Sequence, residues 1–206
     1  MKINNPFKFE LAAAVIGLMA TLPIHASLIV TVGSVAATAG SSSAFDVTLT
    51  NTGPLAVSIG GFSFGITAAN ANVSFTSATT ATVTPYIFGA DSLFGPNLAG
   101  PSGQSLIASD LDAVGNVSVG SGATFGLGHV IFTVAGGAAP GPVTIALQSS
   151  PAFTSLSDAA GSPIAINTLT GGSVTVTSSV PEPSTWLSLA VGLFAVITLR
   201  RRCVVG

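Results

Sequence analysis

Phe45-Asp-Val-Thr-Leu-Thr-Asn51 decides the fold. Phe45, Val47 and Leu49 alternate with Asp46, Thr48 and Thr50. A period of two places apolar side chains on one face of a strand and polar ones on the other. The same period recurs downstream. Phe62, Phe64 and Ile66 alternate with Ser63, Gly65 and Thr67; Val143, Ile145 and Leu147 with Thr144, Ala146 and Gln148; Val174 and Val176 with Thr175 and Thr177. Abundant Val and Thr suit a pleated, half-buried surface. Asn51-Thr-Gly-Pro54, Ala139-Pro-Gly-Pro142 and Gly171-Gly172 supply turns between these runs.

The pattern predicts an all-β sandwich of about nine strands, over 28–35, 44–51, 58–67, 72–76, 80–88, 105–110, 123–134, 143–148 and 173–177. Phe45, Val47, Phe62, Phe64, Phe132 and Ile145 are its expected core. Apolar parity changes within 123–134: Phe125 and Leu127 share one face, and Val130, Phe132 and Val134 the other. Gly128 between them points to a bulge or to a strand buried on both sides. Residues 89–103 read as irregular, with room for a short helix over 90–98.

Charge is distributed unusually. The five cations of the chain, Lys2, Lys8, Arg200, Arg201 and Arg202, all lie near its ends. Between residues 27 and 179 there is no Lys, Arg or Glu, only Asp46, Asp91, Asp110, Asp112, Asp158 and a single histidine, His129. A phosphate backbone is bound through Lys and Arg that displace its counterions, so this composition excludes nucleic acid as a partner. The five aspartates supply nearly all the charge that keeps copies apart, so acidification through about pH 4 is expected to drive self-association, and the domain is expected to pack among neutral polysaccharide and its own copies. The one cysteine, Cys203, lies outside the β region, so no disulfide is expected there and an apolar core must carry stability.

Both ends read as membrane-directed signals. Lys2 and Lys8 precede an uncharged, mostly apolar run, 11–22, and Ile24-His-Ala26 offers a small residue for cleavage. Residues 1–26 are therefore an expected signal peptide, handed to the Sec translocon and cut by signal peptidase between Ala26 and Ser27, with Ala20 as the alternative. This leaves 27–179 as the exported β-sandwich domain. The tail, 180–206, contains Pro181-Glu182-Pro183, an uncharged segment and Arg200-Arg201-Arg202. The prolines favour an extended chain, and the arginines stay on the cytoplasmic side of a membrane. Segment 185–199 is the expected transmembrane part. Residues 184–199 would rise about 24 Å as a helix, against a hydrocarbon core of about 30 Å.

Those three parts of the tail, in that order, resemble the PEP-CTERM sorting signal of Gram-negative bacteria. The resemblance implies processing by exosortase, a membrane-embedded protease. It also implies transient anchoring in the inner membrane, then delivery to the cell surface or an exopolysaccharide matrix. The β region resembles cohesin domains. Val30-Thr-Val-Gly-Ser-Val35 and Phe45-Asp-Val-Thr-Leu-Thr-Asn51 match their opening strands. Gly60-Gly-Phe-Ser-Phe64, Val130-Ile-Phe-Thr-Val134 and Gly172-Ser-Val-Thr-Val176 match later ones. That likeness implies a nine-stranded jelly-roll sandwich and receptors for dockerin modules.

Catalytic and metal-binding patterns are weak. Gly61-Phe-Ser-Phe-Gly65 fits G-x-S-x-G, whose serine works on a sharp strand-to-helix turn. No helical pattern follows Gly65, so Ser63 reads as an outward strand residue. His129 could join a serine and an aspartate, but its position reads as a satisfied strand histidine. Asp110, Asp112 and Asn116 offer oxygen ligands for calcium without the rest of an EF-hand loop, and read as turn caps. Asn72-Val-Ser74 and Asn116-Val-Ser118 fit glycosylation sequons by coincidence. No catalytic residue, cofactor site or metal site is assigned. The reading is a structural or adhesive surface protein associated with exopolysaccharide or biofilm. A cohesin-type module for a dockerin or carbohydrate is the second reading, and an atypical hydrolase the third.

Overall fold

The computed structural model describes residues 25–98, 103–178, 188–191 and 193. Almost all of the leader 1–26, the motif Pro181-Glu182-Pro183 and the cluster Arg200-Arg201-Arg202 lie outside the described residues. Of the segment 185–199, residues 188–191 and 193 are described and are helical. Among the described residues no helix is long and apolar enough to cross a membrane.

Among the described residues, fifteen strands follow in chain order. They are β1 (Leu28–Val32), β2 (Val35–Thr38), β3 (Ser42–Asn51), β4 (Val57–Ile59), β5 (Gly61–Ala68), β6 (Val73–Thr79), β7 (Asn97–Leu98) and β8 (Ser105–Leu111). Then come β9 (Val117–Val119), β10 (Thr124–Val134), β11 (Gly141–Leu147), β12 (Ser155–Ser157), β13 (Pro163–Ile164), β14 (Thr168–Thr170) and β15 (Gly172–Thr177). The first sheet runs β14-β1-β3-β10-β6. The second runs β13-β12-β5-β11-β15-β2, with β8 on β5 and β7 on β8; β4 and β9 form a separate pair.

The two sheets are the layers of a sandwich because their longer strands bury alternate side chains. In β3, Phe45, Val47, Leu49 and Asn51 are buried while the residues between them are partly exposed. In β5 the inward set is Phe62, Phe64, Ile66 and Ala68. All six expected core residues are 5% exposed or less. Phe45 packs edge-on to Phe75 at 6.2 Å, and Phe62 stacks on Phe64 at 6.1 Å.

Four expectations change. The run 28–35 is two strands, because the chain leaves the first sheet at Gly33, whose N–H donates to Asp46 O, and enters the second beside β15. The run 58–67 divides at Gly60 into β4 and β5, which belong to different sheets. The run 80–88 is no strand: Pro85 has no N–H to give a ladder, and the Val83 N–H donates to the Asp46 carboxylate at 2.7 Å. The helix allowed over 90–98 is only a single 3-10 turn, Gly89–Asp91. Six short strands, β2, β7, β9, β12, β13 and β14, carry too little alternation to be read from sequence.

The parity change in β10 is a bulge, as expected. Its register against β3 shifts between Gly126 and Gly128, leaving Leu127 as the extra residue. Gly126, Leu127 and Gly128 are all buried. Thr82 crosses the outer side of Gly126 so closely that a Cβ there would lie 2.3 Å from its Oγ1. A side chain at residue 126 would push the 80–88 connection away.

Candidate recognition surface

The connection between β6 and β8 is organised by one buried carboxylate. Asp110 occupies an inward position near the end of β8 and is 2% exposed. A buried charge is tolerated only when hydrogen bonds replace its water. Asp110 Oδ2 accepts from Tyr86 Oη at 2.7 Å and Ser92 Oγ at 2.5 Å. Its Oδ1 accepts from the N–H groups of Phe94 at 3.1 Å and Leu111 at 2.8 Å. Burial, followed by the hydrogen bond to Asp110, pushes the Tyr86 phenol far above its ordinary range. Tyr86 thus stays a neutral donor. Its ring packs edge-on to Phe62 at 6.3 Å and Phe88 at 6.4 Å.

This anchoring turns apolar side chains outward. Leu93 and Phe94 are 48% and 65% exposed although their backbones are tied to β8. Leu98, Leu111 and Val114 are exposed at the same edge. Beside them is a cleft of about 590 Å³ whose lining includes Gly60, Leu111, Asp112, Val114, Asp158 and Gly161. Asp112 Oδ1 accepts from Val114 N, and Asp158 Oδ1 from Ala160 N and Ser162 N. Asn116 Oδ1 accepts from Ala159 N at 2.9 Å and joins the two loops. Asp112 Oδ2 is buried without a hydrogen-bond partner among the described residues.

The sequence trio Asp110, Asp112 and Asn116 is therefore separated. Asp110 faces the core, whereas Asp112 lines a cleft together with Asp158, which the sequence did not single out, and Asn116 holds the neighbouring Ala159 N–H. Among the described residues no group of three or more His, Cys, Asp or Glu could hold a metal. Asp112 caps a turn, whereas Asn116 bridges to the 158–161 loop.

Ser63 is in the middle of β5, and its Oγ donates to Phe153 O at 2.8 Å. The flanking glycines of Gly61-Phe-Ser-Phe-Gly65 have a packing reason. A Cβ at Gly61 would meet Leu111 Cδ2 at 2.6 Å, and one at Gly65 would meet Phe153 Cβ at 2.8 Å. These glycines form a floor on which Leu111 and Phe153 lie. His129 is on the other sheet, with Nδ1 2.7 Å from Asp46 Oδ1. Ser63 and His129 face outward from different sheets, so no serine–histidine pair is assembled.

Comparison with solved structures gives the class of fold, a cohesin-like sandwich. The seventh type I cohesin of a scaffoldin from Pseudobacteroides cellulosolvens matches with a TM-score of 0.56 and 16% identity, over 76% of this chain and 96% of that one. A non-cellulosomal cohesin from the archaeon Archaeoglobus fulgidus matches with a TM-score of 0.52 and 17% identity, over 79% and 97%. The sixth cohesin of scaffoldin B from Acetivibrio cellulolyticus, in complex with the Cel5 dockerin, matches with a TM-score of 0.55 and 18% identity, over 73% and 99%. Separately, residues 179–202 match the PEP-CTERM protein-sorting motif. No curated protein matches the sequence.

Proposed function

We propose that this chain is an exported surface protein, sorted by its tail, whose sandwich is a non-catalytic recognition and structural module. The observation that carries this reading is where the signals meet the fold. β1 begins at Leu28, one residue beyond the expected Ala26–Ser27 cut, and β15 ends at Thr177, just before the sorting motif at 179–202. Removing both signals leaves every strand in place. Segment 185–199 holds the precursor in the inner membrane, with Arg200, Arg201 and Arg202 on the cytoplasmic side. Exosortase acts near Pro181-Glu182-Pro183, and the sandwich passes to the cell surface or exopolysaccharide matrix.

The sandwich contributes binding, not chemistry: Ser63 and His129 each hold a structural hydrogen bond on different sheets, and Asp46 and Asp110 are engaged by His129, Val83 N–H and the donors of the 86–94 segment. The exposed apolar edge beside the Asp112–Asp158 cleft favours a protein partner of the dockerin type over a neutral glycan. Changing Pro181-Glu182-Pro183 to alanines is expected to retain the protein in the inner-membrane fraction. Unchanged delivery to the surface would refute the sorting role of this tripeptide.

A further inference from the structure

We propose that the corner formed by residues 91–94, 111–115 and 158–161 docks a protein surface in which apolar side chains are flanked by Lys or Arg. This deepens the recognition reading above and rests on it. Two independent features coincide there. The first is charge. Of the five aspartates between residues 27 and 179, Asp46 pairs with His129 and Asp110 is saturated by four donors. The other three, Asp91, Asp112 and Asp158, all belong to this corner. Asp91 O accepts from Ala113 N at 2.7 Å, and Asp112 and Asp158 line one cleft. Three of the five carboxylates of the domain thus belong to one corner, with no Lys or Arg between residues 27 and 179 to offset them, and such a field draws a cationic partner and orients its approach.

The second feature is apolar exposure. Among the described residues between 25 and 178, eight large apolar side chains are exposed, and five of them, Leu93, Phe94, Leu98, Leu111 and Val114, lie on this edge. Phe94 is 65% exposed, while its N–H is fixed by a carboxylate that is itself buried. An aromatic anchor held in place before binding loses little freedom when a partner covers it. A partner cation fits the cleft that Asp112 and Asp158 line. A second copy of the domain would bring acid against acid, and nucleic acid would be repelled.

Two synthetic helical peptides, one of Leu and Lys and one of Leu and Glu, test the proposal by calorimetry and amide-shift mapping. The protein is the full chain in non-ionic detergent, so an uncut tail would defeat the sorting reading without affecting this result. The Leu/Lys peptide is expected to bind, to weaken as salt is raised, and to shift amides of 91–94, 111–115 and 158–161. Phe94→Ser is expected to weaken it by roughly tenfold or more, and the pair Asp112→Asn, Asp158→Asn by roughly tenfold. Val83→Ser, at an exposed residue outside this corner, is expected to leave binding unchanged. Equal binding of both peptides, no binding of either, undiminished binding by Phe94→Ser, or shifts confined to the outer face of β3 and β10 would each overturn the proposal.

Discussion

The β3–β10 pair and the 80–98 connection satisfy the same requirement by different means. Buried backbone donors and acceptors must find partners. In β3 and β10 they find each other along a ladder, and alternation decides which side chains enter the core. In the connection, side chains take over. Thr82 Oγ1 donates to Thr84 O, Asp46 accepts from Val83 N, and Asp110 accepts from Phe94 N. Val83 is 92% exposed, yet its backbone is tied down. A segment without regular structure can therefore be as well anchored as a strand, and it is where apolar side chains can be displayed.

The largest effect is expected in the ladder region. Phe64→Ala or Phe132→Ala should each destabilise the protein by about 3–5 kcal/mol, because both rings are fully buried and the cavity left cannot close. Urea unfolding measures this. A loss below about 1 kcal/mol at either residue would mean that the inner faces are not packed as described. Next comes Asp110→Ala, which strands four donors and should cost about 3 kcal/mol. Hydrogen exchange sharpens the contrast: amides of 86–98 should lose protection first, with β3 and β10 still protected. Uniform loss would show that the connection has no separate anchor.

A smaller effect, about 1 kcal/mol, is expected for Tyr86→Phe. Its pH dependence is more telling. Tyr86 is the only tyrosine, and its folded-state value lies above the ordinary 10.0. The folded state then holds a proton that the unfolded state releases, so this stability is complete below about pH 10 and declines as pH rises beyond it. Phenolate absorbance should appear only together with unfolding. Ionisation in the folded protein near its ordinary value would contradict a buried phenol. His129→Ala should have the least effect, about 0.5 kcal/mol, since His129 and Asp46 remain 27% and 14% exposed.

The sequence was most legible where one physical rule acts alone. Phe45, Val47, Phe62, Phe64, Phe132 and Ile145 are buried because alternation is a local property. The parity change around Gly128 was likewise visible as a bulge. Strands β12, β13 and β14 escaped notice because two or three residues carry no period. The connection over 80–88 was misread because Thr, Val and Tyr favour strands, while what holds them is Asp46 and Asp110, distant in sequence. Asp110 looked like a surface turn residue. Its signal was parity: two residues beyond Ala108 on a strand, it had to point inward.

Intact-mass analysis of the protein recovered from the cell surface tests the central claim, that two removable signals flank a complete sandwich. The expected species begins at Ser27, contains every strand through Thr177 and lacks residues 186–206. A surface species that retains residues 186–199, or one cut within the strands, would contradict it.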